Sequence, residues 1–391
     1  MTQSQPRVVV IGGGYAGVMA ANRLMSRDDL SVTLVNPRPQ FVERIRLHQL
    51  AAGNHDAVVP YDRVLNPGVR VLVDSVERID VAVRRLALTS GATLDYDYLV
   101  YAAGSTGAAP TSVPGAAEFA YQISELEQAV ALRERLADVA LPAPIVVVGA
   151  GLTGIEAAAE LAEAGRPVTL VSTVIGPSLS RPGRHSVTKR LRRLGVTLLD
   201  GDGASVTAVG PDHVQLADGH RIRSAATVWS AGFGVPALAV ASGLSTDGVG
   251  RLITDETYTS VDDVRIVAAG DSAAPSRQPY RMSCQASLPM GVLAADTVLA
   301  RIAGAQPAPR SVPMTAQCIS LGRRAGTLQL QRRDDTPLPV FVGGRAGAAI
   351  KEQVCRWTVK WMAGEAGKPG SYRSLKGPER TGLPADADVL A

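Results

Sequence analysis

Residues 7–17 read RVVVIGGGYAG. Val8, Val9, Val10 and Ile11 are β-branched and run straight into Gly12-x-Gly14-x-x-Gly17, and residues 18–25, VMAANRLM, continue as helix formers. A strand that ends in this pattern and opens a helix is built to hold a dinucleotide. The first glycine permits the tight turn, the second lets the backbone approach a pyrophosphate, and the third lets helix and strand pack closely. Free N–H groups at the helix start then face the anion. A glycine cluster alone marks an ordinary turn. The strand before it and the helix after it make this one a site prediction.

Residues 31–35, SVTLV, predict a second parallel strand. An acid for the adenosine ribose usually stands at its end, about 20 residues beyond the glycines. Asn36 stands there instead; it either hydrogen-bonds a ribose hydroxyl or turns the chain before Pro37. Residues 41–53 predict a short helix ended by Gly53, with no cysteine in it. Residues 68–100 alternate polar and apolar around turns at Ser90-Gly91 and Asp95, predicting a meander or crossover sheet. It closes on YLVYAAG at 98–104, a strand stopping at Ala103 and Gly104.

The plan then repeats. After a Pro- and Gly-bearing segment at 108–115 and a helical run at 124–139, residues 145–165 read IVVVGAGLTGIEAAAELAEAG. Gly149, Gly151 and Gly154 are the glycines, 168–171 is the next strand, and 195–229 alternates again before VWSAG at 228–232. Two copies of one plan, 7–104 and 145–232, predict two bound dinucleotides. A third signature, VRIVAAGD at 264–271, ends an apolar strand at Gly270-Asp271, with a helical run at 289–302. Residues 306–313 read as a Pro-rich linker and 317–331 as strand with a turn at Gly322. From 364 onward Gly, Pro and charges predict a frayed end.

A chain of 391 residues with 46% hydrophobic content predicts two or three domains. The +4 charge is scattered, without an aromatic-interleaved basic patch, which argues against nucleic acid. Cys284, Cys318 and Cys355 form no C-x-x-C and, like the five histidines, no metal-ligand spacing. No metal is expected, and a reducing, cytoplasmic setting fits. MTQSQPRVVV has no basic-then-apolar leader, so no signal peptide is expected. No run of about 18 apolar residues predicts a membrane span.

Taken in order, GGGYAG, DYLVYAAGS, GAGLTGIE, VWSAGF and VAAGDSA resemble the two-dinucleotide-binding-domain flavoproteins over roughly residues 8–304. Within them the chain is most similar to type II NADH dehydrogenases and apoptosis-inducing-factor-like reductases. The resemblance implies an α/β fold with two Rossmann-like three-layer domains, arranged as in glutathione reductase, and a smaller C-terminal α+β region. Residues 1–107 and 234–310 would bind FAD, 108–233 would bind NAD(P)H, and 311–391 would follow. It places Gly12, Gly14, Tyr15, Ala16, Gly17, Asn36, Ala103, Gly104, Gly270 and Asp271 around FAD, with Asp271 on the ribityl chain. Gly149, Gly151, Thr153, Gly154 and Gly232 would hold NAD(P)H. The disulfide reductases carry a cysteine pair soon after the first fold; residues 41–53 do not.

Two residues are implied to be catalytic. Glu156, in G-x-T-G-x-E, would lie near flavin and nicotinamide; the other reading is an acid in the first turn of a helix, favoured by the dipole. Gln285, in CQASLP at 284–289, matches the first glutamine of the family's quinone stretch, and Pro289 stands where the second would be. The second fold ends at Ser172-Thr173 rather than an acid. That leaves room for a 2′-phosphate on Arg181 or Arg184, unless these are two solvated arginines. His48 is the histidine placed to donate a proton, or else to pack in the core. The resemblance implies an NAD(P)H dehydrogenase passing electrons through FAD to a quinone-type small molecule. A soluble reductase or oxidase with another acceptor and an FAD/NAD(H) redox-sensing protein are the alternatives.

Residues 349–363, AIKEQVCRWTVKWMA, put Ile350, Val354, Trp357 and Trp361 on one helical stripe. The stripe would pack on the protein's own core, on a second subunit as a homodimer, or on a membrane. Lys368, Arg373, Lys376 and Arg380 would then meet anionic headgroups. The resemblance points to peripheral attachment at the inner face of the cell membrane.

Overall fold

A computed structural model describes residues 5–107 and 111–380. In chain order, β1 (Arg7–Ile11), α1 (Tyr15–Leu24), β2 (Ser31–Asn36), α2 (Leu47–Ala51), β3 (Arg70–Val73) and β4 (Tyr98–Tyr101) form the opening unit. Then come β5 (Ala120–Gln122), α3 (Leu126–Asp138), β6 (Ile145–Val148), α4 (Leu152–Glu163), β7 (Val168–Val171), α5 (Arg181–Arg193), β8 (Thr197–Leu199) and β9 (Ala226–Trp229). The chain returns through β10 (Ile266–Ala268) and α6 (Cys284–Ile302). It ends in β11 (Ala316–Ser320), β12 (Gly326–Gln331), β13 (Pro337–Gly343) and α7 (Gly344–Gly367).

Two five-stranded parallel sheets result, ordered β10-β4-β1-β2-β3 and β5-β9-β6-β7-β8. Their central strands are buried on both faces, so the sequence shows unbroken runs such as VVVI and IVVV rather than alternation. Each sheet carries a small antiparallel meander: Val76–Asp80, Arg85–Leu88 and Thr93–Asp95 in the first, Val206–Val209, His213–Leu216 and Arg221–Arg223 in the second. The architecture is the expected α/β one, with two Rossmann-like layers and a C-terminal sheet β11-β12-β13 under α7. Helix α6 lies so close on α1 that a Cβ on Gly291 would overlap the Ala16 carbonyl oxygen. Only glycine permits this approach.

Several local expectations change. The helix expected over 41–53 is only α2, preceded by a short strand and a 3₁₀ turn at Arg44–Arg46. Helix α6 starts five residues before the expected 289, because Ser283 caps it by accepting from the Ala286 N–H at 3.3 Å. Pro289 sits inside the helix and frees the Gln285 carbonyl. The chain after 364 does not fray where it is described. Gly377 donates to the Ser311 carbonyl at 3.1 Å, Ser311 Oγ donates to the Pro378 carbonyl at 2.6 Å, and Arg380 lies 4.3 Å over the Tyr280 ring. Residues 1–4, 108–110 and 381–391 lie outside the described residues, and with them the start of the 108–115 segment and the end of the expected frayed tail.

The C-terminal stripe is inverted relative to core packing. The buried face of α7 is Gly347, Lys351, Cys355, Thr358, Met362, Glu365 and Ala366. Trp357 and Trp361 are each 41% exposed. The buried polar groups have partners that outweigh the apolar alternative. Lys351 meets Glu156, Thr358 donates to the Cys355 carbonyl, and Glu365 accepts from the backbone of Gly370 and Tyr372.

Candidate functional site

Helices α1 and α4 both begin at a glycine N-cap with no side-chain cap, Gly14 and Gly151. Their first N–H groups are therefore unmatched within the helix. A Cβ built on either glycine meets nothing within 4 Å, so open space lies in front of both helix starts. A Cβ on Gly17 or Gly154 would instead overlap the carbonyl oxygen of Gly12 or Gly149, which fixes the tight turn behind each start. An anion fits each position by the partial positive charge of the helix end.

The carboxyl ends of β1, β2, β4 and β10 gather the other residues expected in the first fold. Asn36 Oδ1 accepts from the Gly13 N–H at 2.8 Å and Nδ2 donates to the Arg38 carbonyl at 2.8 Å. The Tyr61 hydroxyl donates to the Gly13 carbonyl at 3.1 Å. Asn36 thus clamps the glycine turn. Asp271 accepts from Ser105 Oγ at 2.6 Å and from Ser287 Oγ at 3.3 Å, with Arg44 at 4.0 Å. Arg44 donates to Ser105 Oγ at 2.8 Å, and Gly104 N–H donates to Ser272 Oγ at 3.2 Å. Ser105 closes the DYLVYAAGS motif without having been singled out, and Arg44 carried no signal in the sequence.

Tyr15, Arg44, Ser105, Gly151, Thr153, Glu156 and Asp271 line one cavity of about 1260 Å³, together with Gln285 and Lys351. Tyr15 stacks edge-on against Phe41 at 5.0 Å; its hydroxyl is buried without a partner, and burial raises its pKa. Of the expected residues with no place in this lining, Gly232 follows β9 in the second sheet and Gly270 follows β10 beside Ala16.

Glu156 is not a first-turn acid. It is the fifth residue of α4, buried, with Lys351 Nζ at 2.8 Å and the Ser320 backbone N–H donating at 2.9 Å. Burial pushes its pKa up, but the charge of Lys351, with the hydrogen bonds from Lys351 and the Ser320 N–H, holds it below the usual carboxylate range. Burial pulls the Lys351 pKa down; the Glu156 carboxylate outweighs it and the pKa is raised. Lys351 was legible only as a residue off the tryptophan stripe. Its own stripe, Gly347, Lys351, Cys355, Thr358 and Met362 at spacings of four and three, is the signal that would have found it.

Gln285 faces the cavity, but its amide is engaged. Oriented to satisfy both ends, it donates to the Ala316 carbonyl at 2.8 Å and accepts from the Thr315 N–H at 2.9 Å. The three cysteines, far apart in sequence, converge here and all feel the Lys351 charge. Burial pushes the Cys284 thiol up to about 12 and the Cys318 thiol up to about 11, and raises Cys355. As protonated thiols they are poor nucleophiles. Among the described residues no group of His, Cys, Asp or Glu is placed to hold a metal. Arg181 is exposed at the start of α5 and Arg184 is half-buried, while Ser172 Oγ donates to the Val174 carbonyl. At the rim, Trp357 stacks on Trp361 at 6.1 Å, Tyr372 meets Trp361 edge-on, and Leu375 is 67% exposed.

Residues 6–291 match the model of the pyridine nucleotide-disulphide oxidoreductases. The chain belongs to that family. It is an oxidoreductase, and membership implies a nicotinamide nucleotide and a flavin. It is similar to an NADH dehydrogenase-like protein of Mycobacterium tuberculosis, at 34% identity over 322 residues, covering 75% of this chain and 80% of the relative. It is also similar to the type II NADH:quinone oxidoreductase of the same organism, at 30% identity over 353 residues, covering 78% and 74%. Among solved structures, NDH2 from Plasmodium falciparum in complex with NADH superposes with a TM-score of 0.78 at 13% identity, over 94% of this chain and 99% of that one. The sulfide:quinone oxidoreductase of Aquifex aeolicus gives 0.77 at 20% identity, over 92% of each. These last two share the fold.

Proposed function

We propose that the protein is an FAD-dependent NAD(P)H dehydrogenase that delivers electrons to a quinone-type acceptor. One observation carries the reading. A single cavity joins the starts of α1 and α4, the Asp271 cluster and the buried Glu156–Lys351 pair, and carries the stacked Trp357 and Trp361 on its wall. Similarity to a type II NADH:quinone oxidoreductase over three quarters of the chain supports it.

The residues fit FAD in the first fold. The uncapped start of α1 and the open space before Gly14 suit a pyrophosphate, Asn36 suits the ribose and Asp271 suits a ribityl hydroxyl. Gly149, Gly151, Thr153, Gly154 and Gly232 would hold NAD(P)H in the second. When bound, FAD supplies the two-electron chemistry between nicotinamide and acceptor. The chain's part is to set the two dinucleotides in one cavity, where fixed placement replaces diffusion. Quinone reduction also consumes protons, and Glu156, at the cavity wall beside Lys351, is placed to hold and hand on one. Lys351 keeps a positive charge where an acceptor oxygen becomes negative. The exposed Trp357, Trp361 and Leu375 at the rim suit a membrane–water boundary, from which an apolar quinone would enter. No helix of the described residues is long and apolar enough to cross a membrane.

The test is the purified full chain. It should be yellow, release FAD on heating, and oxidise NADH or NADPH continuously with a water-soluble quinone. A colourless protein that cannot be reconstituted, or release of FMN, would sink the FAD assignment. Flavin reduction with a long-lived charge-transfer band and no quinone turnover would replace the dehydrogenase by a redox sensor.

A further inference from the structure

His48, on α2, stands between two acids of one helix. Its Nδ1 lies 3.7 Å from Glu156 Oε2 and its Nε2 lies 4.0 Å from Glu160 Oε1. Glu156 and Glu160 are four apart on α4 and share one face. His48 is 3% exposed, and its Nε2 is buried with no hydrogen-bond partner. A buried unpartnered ring nitrogen is a costly arrangement. Glu160 is 2% exposed but reaches outward: Arg323 Nε donates to it at 2.7 Å and Asn54 Nδ2 at 3.1 Å. Asn54 is exposed and the Arg323 side chain is 37% exposed. Glu156 and His48 line the cavity. Three titratable groups in a row thus join the surface to the cavity.

The reaction has a use for them. NAD(P)H plus one proton plus a quinone gives NAD(P)⁺ plus a quinol. The nicotinamide provides two electrons and one proton; the second proton comes from water. Resting on the dehydrogenase reading above, we infer that Glu160, His48 and Glu156 form a line that carries this proton from solvent to the acceptor end of the cavity. The Glu160 O–H bond breaks as an N–H bond forms at His48 Nε2. The Nδ1–H bond breaks as an O–H bond forms on Glu156, which gives its proton to the acceptor oxygen. Exchange through water in the cavity, which takes the Nε2 proton and returns one to Nδ1, restores the first tautomer, and Glu160 regains a proton from water beside Asn54. Both gaps exceed a hydrogen bond by about 1 Å, so the ring closes on one acid at a time.

The charges around the ring suit this use. Burial, with the positive charges of Lys351, Arg323 and Arg46, brings His48 down to about 4 against the pull of Glu156. The ring is neutral at pH 7, with one N–H and one lone pair; an imidazolium has no lone pair to accept a proton. Burial outweighs Arg323 at Glu160 and raises its pKa, so this outer acid takes a proton more readily than Glu156.

The test compares two acceptors on the flavin-loaded full chain. Ferricyanide takes electrons without protons; a water-soluble naphthoquinone takes both. His48→Gln approximates the ring's size, but its amide neither takes up nor releases a proton. It should slow reoxidation by the quinone about 10- to 100-fold, with ferricyanide reduction and flavin reduction by NAD(P)H within twofold of the parent. The solvent deuterium isotope effect on the quinone step should increase. Glu160→Gln, away from the cavity, should give the same split and serves if His48→Gln does not hold flavin. Equal loss with both acceptors, or parental quinone rates in either folded variant, overturns the line and leaves the dehydrogenase reading intact. A parent that reduces no quinone overturns both.

Discussion

Helices α1 and α4 follow the same glycine turn, start without a side-chain cap and are buried over almost their whole length; they differ in what they bury. Besides the Tyr15 hydroxyl, the one polar side chain among the buried residues of α1 is Asn22, satisfied by backbone: it donates to the Val64 and Met362 carbonyls and accepts from the Asn66 N–H. The buried residues of α4 include Glu156 and Glu160, satisfied by cations reaching in from elsewhere, Lys351 from α7 and Arg323 from beyond β11. A neutral amide locked by three backbone groups has one arrangement. Charged pairs carry a desolvation cost that favours retaining them for a use. The dinucleotide turn constrains only the first helical turn, so the later positions are free to differ.

That contrast can be broken from the glycines outward. Valine at Gly14 or Gly151 meets open space, so neither variant should lose its fold. Gly151→Val should cut flavin reduction by NAD(P)H more than 100-fold, about 3 kcal/mol, with FAD retained and reducible by dithionite. Gly14→Val should lose FAD. Flavin release that follows the opposite pattern would show the two folds assigned the wrong way round.

Next in size is Lys351→Met, which leaves Glu156 buried without its cation and should cost about 3–5 kcal/mol in thermal or denaturant unfolding. Adding Glu156→Gln should restore most of it. Absence of that restoration would mean the pair is not the cause.

The pH response should separate the helices as well. His48 has a folded pKa of about 4, below its ordinary value, so the unfolded chain takes up its proton first. Stability is therefore lost as pH falls from about 6.5 to about 4, by up to about 3 kcal/mol. Glu156 is lowered, so its contribution is present above the ordinary carboxylate range and is lost only as pH falls below about 4.5. Glutamine at 48 should flatten the higher window and leave the lower. Unfolding curves of both proteins at stepped pH decide it, and unchanged slopes would remove His48 as their source. Asn22→Ala should cost about 1–3 kcal/mol with no change in either window. Smallest in stability, within about 0.5 kcal/mol, is the pair Trp357→Ser and Trp361→Ser. It should abolish binding to anionic vesicles at low salt; a parent that binds no vesicles would end the membrane reading.

The parts of the fold readable in advance were those set by backbone demands. Glycine turns, unbroken apolar strands and their repetition gave both sheets, because a strand buried on two faces and a helix start facing an anion leave little choice of residue. Where side chains from distant segments meet, the sequence was mute. Lys351 and Glu156 are 195 positions apart and carry no local mark of their pairing. The cysteines looked unrelated at 34 and 37 residues' separation, yet converge around the same lysine. Apolar periodicity in α7 leaves core, second subunit and membrane open; the packed face is small and polar and the tryptophans turn outward, which removes the first of these.

The close seat of Gly291 on Ala16 and the bond from Asn22 to the Met362 carbonyl bear on how the chain is made. By residue 229 the ribosome has released every strand of the inserted sheet, but the opening sheet lacks its edge strand until residue 268 and its helix partners until residues 302 and 362. At ordinary elongation rates that delay is on the order of ten seconds. The unit synthesised second is thus the first able to close. The opening unit, though first to emerge, holds apolar edges exposed through translation, which makes it the segment on which a nascent-chain chaperone would act.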